Sequence, residues 1–334
     1  MHKFGQMPDG ADVHRVQLSG YGLTANILTY GAVLQDLRLK DHKFPLVLGF
    51  ENFDSYLAHS PYFGATAGRY INRIKDGHLE IDGKTFQLDK NFLGKHCLHG
   101  GSIGMGLQVW AIEDYNEVSL TLSINLADGE MGFPGELKVR AKFTLQPDQT
   151  LDIRYGAITD KPTLCNIGHH SYFNLDGSKS IIDHTLQVHA SHYTPVDEEL
   201  IPTGQVIDVE DTRFNFQEPK KVKSGGQDGI FDHNFCLSSG QEKLRLVATL
   251  HSPESGVSMQ IHTTEPGLQV YDGAKIDIPV AGLDGAMMEP RAGIALEPQV
   301  WPDSAHHKHF PQAILRPGEQ YVQHTQFAFK KAKP

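Results

Sequence analysis

Histidines and a glutamate occur in three short segments that do not look like ordinary strand faces. Residues 96–101 read His-Cys-Leu-His-Gly-Gly, and the glycines let the backbone bend so that a ligand can approach closely. Residues 169–175 begin with two histidines, which on an extended chain point to opposite faces, so only one can enter a given pocket. Glu297 lies between Leu296 and Pro298, where burial would make its carboxylate a useful base. Imidazole and carboxylate groups in such settings suit general acid–base catalysis. The paired histidines also fit a hydrogen-bonded core position, and Glu297 also fits an ordinary loop carboxylate.

Three other segments carry polar side chains that could hold a ligand. Residues 68–74 combine two arginines and an asparagine with a glycine, and residues 231–235 alternate aromatic and polar side chains. Residues 265–271 place Gln269 among apolar neighbours. Residues 68–74 by themselves also fit a surface turn with solvated arginines. Their mixture of donors and acceptors suits uncharged hydroxyl groups.

The elements that must position these segments are predicted to be β-strands. Apolar and polar residues alternate along many short runs, which is typical of antiparallel strands with one buried face. A short helical turn is predicted around Asn52 to Leu57. Asp-Gly pairs between the runs predict turns at residues 76–77, 82–83, 128–129, 176–177, 228–229 and 284–285. The alternating apolar sets include Val118 to Leu126, Leu137 to Leu145, Leu151 to Ala157, Leu186 with Val188, Leu244 with Leu246 and Ala248, and Val257 to Ile261.

Many short strands with regular turns predict an all-β protein built as a large antiparallel β-sandwich, and they disfavour βαβ units. No low-complexity linker and no block of like charge divides the 334 residues. We therefore expect a single sandwich domain across residues 1–334.

The composition argues against several classes of partner. A formal net charge of -10 disfavours nucleic acid and anionic membrane surfaces, because both require a positive surface on the protein. No apolar run approaches the roughly 18 residues of a membrane span. Met1 to Gly10 contain no apolar core of a signal peptide. The three cysteines do not resemble a disulfide framework, so we expect a cytoplasmic protein.

Taken in order, these segments match one known family. The chain resembles the aldose 1-epimerase (galactose mutarotase) family from near Phe4 to about Phe329. The motifs that carry the resemblance are Tyr30-Gly31-Ala32, Leu48-Gly49-Phe50, Asn72-Arg73-Ile74, Leu98-His99-Gly100-Gly101, Gly132-Phe133-Pro134-Gly135, His170 to Leu175, Phe231-Asp232-His233-Asn234, Pro266 to Tyr271, Leu296-Glu297, Trp301-Pro302-Asp303 and Arg316-Pro317-Gly318-Glu319.

The resemblance implies a two-layered β-sandwich with an open cleft on one face. It also implies an isomerase that interconverts the α and β anomers of a free aldohexose such as glucose or galactose. By the same match, Glu297 is the catalytic base, His170 is the acid, and His99 assists at the sugar ring. The residues implied to bind the sugar hydroxyls are Asn72, Arg73, Asp232 and Gln269.

Two positions depart from the family's pattern. His169 stands where asparagine is common, and Ile71 stands where a smaller residue is usual. Neither change removes a catalytic group, although His169 could alter the acid beside it.

Mutarotation needs one proton taken from the C1 hydroxyl and one given to the ring oxygen. A carboxylate with a reference pKa of about 4.3 and an imidazole near about 6.5 suit these two tasks. The chemistry requires no cofactor, so we expect none. We also expect no metal, because the histidine groups lack a closed set of ligands. The expected partner is a small sugar, and the protein is expected to be a monomer or a homodimer.

Four alternatives remain open at this point. The same sandwich could be a non-catalytic carbohydrate-binding protein, or it could be a mutarotase for hexose 6-phosphates. A glycoside hydrolase would need two carboxylates, a role in which Glu297 and Asp232 could be cast. The histidine run at residues 306–309 could bind zinc, although a solvated loop fits that run better.

Overall fold

Antiparallel β-strands make up most of the fold in a computed structural model that describes residues 1–60, 62–222 and 230–332. Among these residues no helix is long and apolar enough to cross a membrane. The α-helix, α1, spans Phe53–His59, and short 3-10 helices span Lys75–Gly77, Met105–Leu107, Glu130–Gly132, Ile181–Asp183, Leu283–Gly285 and Ser304–His306. The strands are β1 His2–Gln6, β2 Asp12–Gly20, β3 Leu23–Leu28, β4 Leu34–Leu39, β5 Ala65–Ala67, β6 Arg73–Ile74, β7 His78–Ile81, β8 Lys84–Gln87, β9 Cys97–Leu98, β10 Ala111–Tyr115, β11 Ser119–Leu126, β12 Leu137–Gln146, β13 Thr150–Thr159, β14 Thr163–Leu164, β15 Gly168–His170, β16 Tyr172–Phe173, β17 Thr185–Val188, β18 His192–Thr194, β19 Ile207–Asp208, β20 Lys220–Lys221, β21 Asp232–Cys236, β22 Arg245–His251, β23 Val257–Thr263, β24 Gly267–Tyr271, β25 Ile294–Gln299, β26 Ile314–Leu315 and β27 Tyr321–Lys331.

Three sheets share one large apolar core. The nine-stranded sheet has the order β10-β11-β12-β13-β27-β23-β22-β17-β20. The six-stranded sheet has the order β16-β25-β24-β21-β18-β19, and the four-stranded sheet has the order β1-β2-β3-β4. Inward-facing side chains of all three meet in a single cluster of buried residues. The predicted all-β, antiparallel sandwich is therefore confirmed.

The alternating runs bury the side chains that the sequence predicts. In β12, Leu137, Val139 and Ala141 are buried, while the residues between them are exposed. One run differs from the prediction. The register of β22 against β23 shifts between Leu246 and Ala248, and Val247 and Ala248 are both buried. The β-bulge adds a residue to one strand, so the predicted alternation through Leu246 is wrong there.

The predicted turns and helix have clear local causes. Asp82 and Gly83 form the two-residue connection between β7 and β8, with φ angles of 51° and 73°. Two positive φ angles in a two-residue loop favour Asp-Gly, because the twist then matches that of the paired strands. The side chain of Asn52 accepts a hydrogen bond from the Ser55 amide and begins α1. The predicted turn at residues 228–229 lies outside the described residues.

The six-stranded sheet and several very short strands position the candidate site. Glu297 lies in β25, directly opposite Gln269 of the neighbouring β24. Asp232 begins the next strand, β21. His170 ends β15, which pairs with β5, and Arg73 pairs with Leu98 where β6 meets β9.

Candidate active site

Glu297 and His170 face each other in a buried position. The His170 Nε2 atom lies 3.6 Å from Glu297 Oε2, and their side chains are 6% and 3% exposed. This separation is longer than a hydrogen bond. Within the described part of the chain, Glu297 Oε2 and His170 Nδ1 have no hydrogen-bond partner. Two proton-transfer groups are thus close together with hydrogen-bonding capacity left for a ligand.

A cleft of about 360 Å³ opens above this pair, a volume suited to a small molecule. Aromatic rings form much of its wall, and polar side chains reach it from separate elements of the fold. The described residues that line it are Tyr62, Asn72, Arg73, Phe92, Leu98, His99, His170, Tyr172, Leu200, Ile230, Asp232, Tyr271, Lys275, Ile276, Asp277, Ile278 and Glu297.

Arg73 and Asp232 form an ion pair on one side of the cleft. Arg73 Nη2 donates to Asp232 Oδ2 at 3.0 Å. Gln269 Nε2 donates to the other carboxylate oxygen of Asp232 at 2.6 Å. The guanidinium also stacks over the ring of Phe92, 4.8 Å from its centroid. These contacts fix the orientation of both charged groups before a ligand enters.

Asn72 and His99 are joined by two hydrogen bonds, one of which is accepted by the imidazole of His99. The Asn72 amide donates to His99 Nδ1 at 3.1 Å, and the His99 amide donates to the Asn72 carbonyl at 3.0 Å. Both residues have a positive φ, 68° and 51°, a conformation that asparagine adopts more readily than most residues. The Asn72 side-chain oxygen accepts from the amide of Arg73 at 2.8 Å.

Burial shifts the pKa values of the proton-transfer groups in the directions that favour their neutral forms. It raises the pKa of Glu297 well above its ordinary value, an effect that nearby Asp232 increases and Arg73 opposes. Burial lowers the pKa of His170 to about 4. It also lowers the pKa of His99 well below its ordinary value, with His170 and Arg73 contributing. Burial therefore favours a protonated, neutral carboxyl group on Glu297 beside a neutral imidazole on His170.

The structure brings six of the seven predicted site residues to the cleft. Gln269 lies behind Asp232 and is not among the described residues that line the cleft. It is 2% exposed, and its predicted contact with sugar hydroxyls stays a prediction. The residues that line the cleft are Asn72, Arg73, His99, His170, Asp232 and Glu297.

His169 points away from the cleft, as the alternation of an extended chain predicts. Its Nε2 atom lies 2.7 Å from Ser171 Oγ, and its ring packs near Phe143 and Phe327 in the core. Burial lowers the pKa of His169 to about 3. Of the two adjacent histidines, only His170 reaches the ligand space.

Several aromatic residues of the cleft were not identified from sequence. The ring of Tyr62 lies 4.5 Å from that of His99 and 6.0 Å from that of His170, measured between centroids. Phe92 and Tyr271 also line the cleft. In the sequence, Tyr62 could have been noticed because it is an aromatic residue that lies outside any alternating run. Its approach depends on a positive φ of 65°, which no periodicity reveals.

Other polar groups that the sequence raised lie elsewhere. Arg69 is buried and donates to the carbonyls of Pro134 and Gly135, and it is not among the described residues that line the cleft. His306 Nδ1 lies 2.6 Å from Asp303 Oδ1, whereas His309 Nε2 lies 2.8 Å from a different partner, the Gly204 carbonyl. In the ranges described, no three histidine, cysteine or acidic side chains are grouped as a metal site would require.

A larger cavity of about 690 Å³ lies on the outer surface of the nine-stranded sheet. Its carboxylate, Glu113, forms an ion pair with exposed Arg140 at 2.9 Å. No histidine belongs to its described lining. The smaller cleft is the candidate active site because it holds the acid and the base together.

The chain is similar to known proteins in both sequence and fold. The sequence pattern of the aldose 1-epimerase family matches residues 14–328. The chain is 39% identical to the galactose mutarotase of Bos taurus, with 98% of each chain covered. It is 33% identical to the aldose 1-epimerase of Haemophilus influenzae, with 97% of each covered. A solved structure of an aldose epimerase homologue from C. elegans superposes with a TM-score of 0.90 at 30% identity, covering 96% of this chain and 100% of that one.

Proposed function

Because this chain belongs to the aldose 1-epimerase family and is an isomerase of that kind, we propose that it interconverts the α and β anomers of free glucose or galactose. The reaction opens the cyclic hemiacetal to the aldehyde and closes it again on the other face of C1. One observation carries the proposal. The imidazole of His170 and the carboxyl group of Glu297 lie 3.6 Å apart at a cleft lined with polar and aromatic side chains.

Glu297 removes the proton of the C1 hydroxyl while His170 protonates the ring oxygen, and the C1–O5 bond breaks. After rotation about C1–C2, the C5 hydroxyl gives its proton back to His170 as its oxygen attacks C1, and Glu297 returns its proton to the C1 oxygen. The pair needs one proton in total. Burial by the protein favours this proton on Glu297. Sugar hydroxyls that donate to the carboxylate favour the ionised form and so favour transfer of the proton to His170.

Arg73, Asn72 and Asp232 orient the sugar. Asp232 already accepts from Arg73 and Gln269, so its remaining lone pairs are directed before the sugar arrives. Preorganised donors and acceptors lower the entropy cost of reaching the reactive geometry. These groups supply positioning, and the acid–base pair supplies about 10²–10⁴-fold for each group.

The charges around the cleft favour a free sugar over a sugar phosphate. Among its described lining residues the cations are Arg73 and Lys275. Arg73 is paired with Asp232, and exposed Lys275 shares the rim with exposed Asp277. Arg69, the other arginine of residues 68–74, donates to backbone carbonyls. A doubly charged phosphate would therefore meet carboxylates without an unpaired arginine cluster to receive it.

Two assays test the proposal. Polarimetry or NMR anomer exchange should reveal faster equilibration of α-glucose and α-galactose with the protein than without it. Sugar bound without faster exchange would support the carbohydrate-binding alternative instead. In the second assay, kcat/KM for free glucose or galactose should exceed that for glucose 6-phosphate at equal ionic strength. A clear preference for the phosphate would reject the free-sugar assignment.

A further inference from the structure

We propose that His99 is held as the neutral tautomer that carries its proton on Nε2, and that it serves the reaction as a hydrogen-bond donor that never titrates. The catalytic part of this inference rests on the proposed function. The tautomer part rests on the geometry alone.

The backbone amide of Asn72 determines which nitrogen of His99 carries the proton. An amide N–H can only donate, and it lies 3.1 Å from His99 Nδ1. Nδ1 must therefore offer a lone pair, and in neutral imidazole the proton then belongs to Nε2. The reciprocal bond from the His99 amide to the Asn72 carbonyl keeps the two residues in register.

The surroundings of His99 disfavour a second proton. Protonation at Nδ1 would place an N–H against the N–H of Asn72 and would break this buried hydrogen bond. The charge would also lie near the guanidinium of Arg73, and burial lowers the pKa of the ring well below its ordinary value. Tyr62 and His170 pack near the ring, and the charge of Arg73 lowers its pKa further. None of these three groups carries a negative charge that would favour protonation of His99.

A neutral donor has a specific use at this position. The ring of His99 lies 5.1 Å from that of His170, and both line the cleft. The ring oxygen gains negative charge as the C1–O5 bond breaks, and a fixed donor stabilises that charge without giving up its proton. His170 then remains the group that transfers the proton. Two histidines side by side thus have different tasks because their hydrogen-bond partners differ.

The direct test is ¹⁵N NMR of the histidine rings in the full-length protein. The chain has 19 histidines, so the His99 signals are assigned by their absence from the His99→Gln variant. We expect Nε2 with the shift of a protonated nitrogen and Nδ1 with that of an unprotonated one, unchanged between about pH 5 and about pH 8. A ring that titrates in this range, or that carries its proton on Nδ1, would overturn the proposal. This result does not depend on whether the protein turns over any sugar.

Kinetics of two variants test the donor role. Glutamine at residue 99 keeps an N–H donor, whereas leucine keeps similar bulk and has none. His99→Leu should lower kcat by about 10²-fold or more, and His99→Gln should retain activity to within about tenfold of the wild type. Both variants should keep the pH profile of the wild type, because His99 does not titrate. Equal losses in the two variants with unchanged melting temperatures would reject the donor role. If wild-type protein accelerated no anomer exchange, the proposed function would fail while the tautomer assignment could still stand.

Asn72→Gly provides the matched control for the role of the backbone. Glycine tolerates the positive φ of this position and retains the amide N–H, but it removes the side-chain oxygen that accepts from Arg73. The ring signals of His99 should therefore keep the same tautomer while KM rises. A change of tautomer in this variant would show that the asparagine side chain, and not its amide, controls the ring.

Discussion

The nine-stranded sheet and the cleft differ in the regularity of their backbone and in the side chains that they bury. In β12 and β13 successive residues alternate between core and surface, and long strands pair without interruption over ten residues. The cleft is assembled from strands of the six-stranded sheet, from two-residue strands, and from residues such as Asn72 and His99 with positive φ. Its buried polar groups include atoms of Glu297 and His170 that have no partner in the described residues.

This difference separates the sources of stability from the sources of activity. The sheet buries apolar side chains, which favours folding. The cleft buries ionisable groups whose charged forms are disfavoured, which costs stability and creates reactive groups. Substitutions in the two regions should therefore affect different measurements.

The largest expected effect comes from Glu297→Gln. The amide cannot accept the proton of the C1 hydroxyl, so kcat should fall by at least about 10²-fold. The melting temperature should stay the same or rise, because the variant removes a buried ionisable group. Polarimetry and thermal unfolding measure the two outcomes. Near-normal activity would remove Glu297 from the mechanism.

The two adjacent histidines of β15 allow core and cleft positions to be compared within one strand. His170→Asn should lose about 10²-fold or more in kcat, because the acid is removed. His169→Asn should keep most of the activity, since the His169 side chain lies in the core near Phe143 and Phe327. Anomer-exchange rates of both variants check this contrast. If His169 were the more damaging position, the assignment of His170 to the cleft and His169 to the core would be wrong.

A substitution in the sheet should have the reverse profile. Ile153 of β13 is fully buried, and Ile153→Ala should lower the free energy of unfolding by about 2–5 kcal/mol through lost burial and an added cavity. The kcat of the protein that remains folded should change little. Urea unfolding and the anomer assay measure the two quantities. A selective loss of kcat would show that the two regions are coupled.

Gln269→Met removes a donor behind Asp232 while keeping a similar size. Asp232 would keep its bond to Arg73 but lose the one at 2.6 Å from Gln269. We expect KM to rise by about tenfold with little change in kcat, because the group orients a binding residue. A fall in kcat at constant KM would instead assign Gln269 to the transition state.

The smallest expected effect is that of pH near neutrality. The pKa of His170 is lowered to about 4 and that of Glu297 is raised, so the singly protonated pair persists between them. The value of kcat/KM should therefore change little between about pH 5.5 and about pH 7.5. It should fall below about pH 4 as the pair gains a second proton, and at high pH as it loses its last one. A fall centred near about pH 6.5 would indicate a histidine with an ordinary pKa.

The same contrast explains what could be predicted from sequence. Period-two alternation is a local pattern, so six of the nine strands of the large sheet could be identified from sequence. The strands β10, β20 and β27 were not among the predicted runs. A β-bulge at Leu246 breaks that pattern because the extra residue is set by pairing with the neighbouring strand. Tyr62 and Leu200 reach the cleft through positive φ angles, which no alternation predicts. The segments around His170 and Glu297 were found because several motifs occur in one order, and not because any single one is specific.

The ion pair between Arg73 and Asp232 also determines how the cleft responds to dissolved salt. The whole protein carries a formal net charge of -10. These two opposite charges, however, neutralise each other at 3.0 Å and are largely shielded from water. Mobile ions screen such an enclosed pair far less than an exposed one such as Lys3 with Asp12. An uncharged sugar that enters the cleft displaces few counterions. Its binding should be nearly independent of ionic strength even though the surface of the protein is strongly acidic.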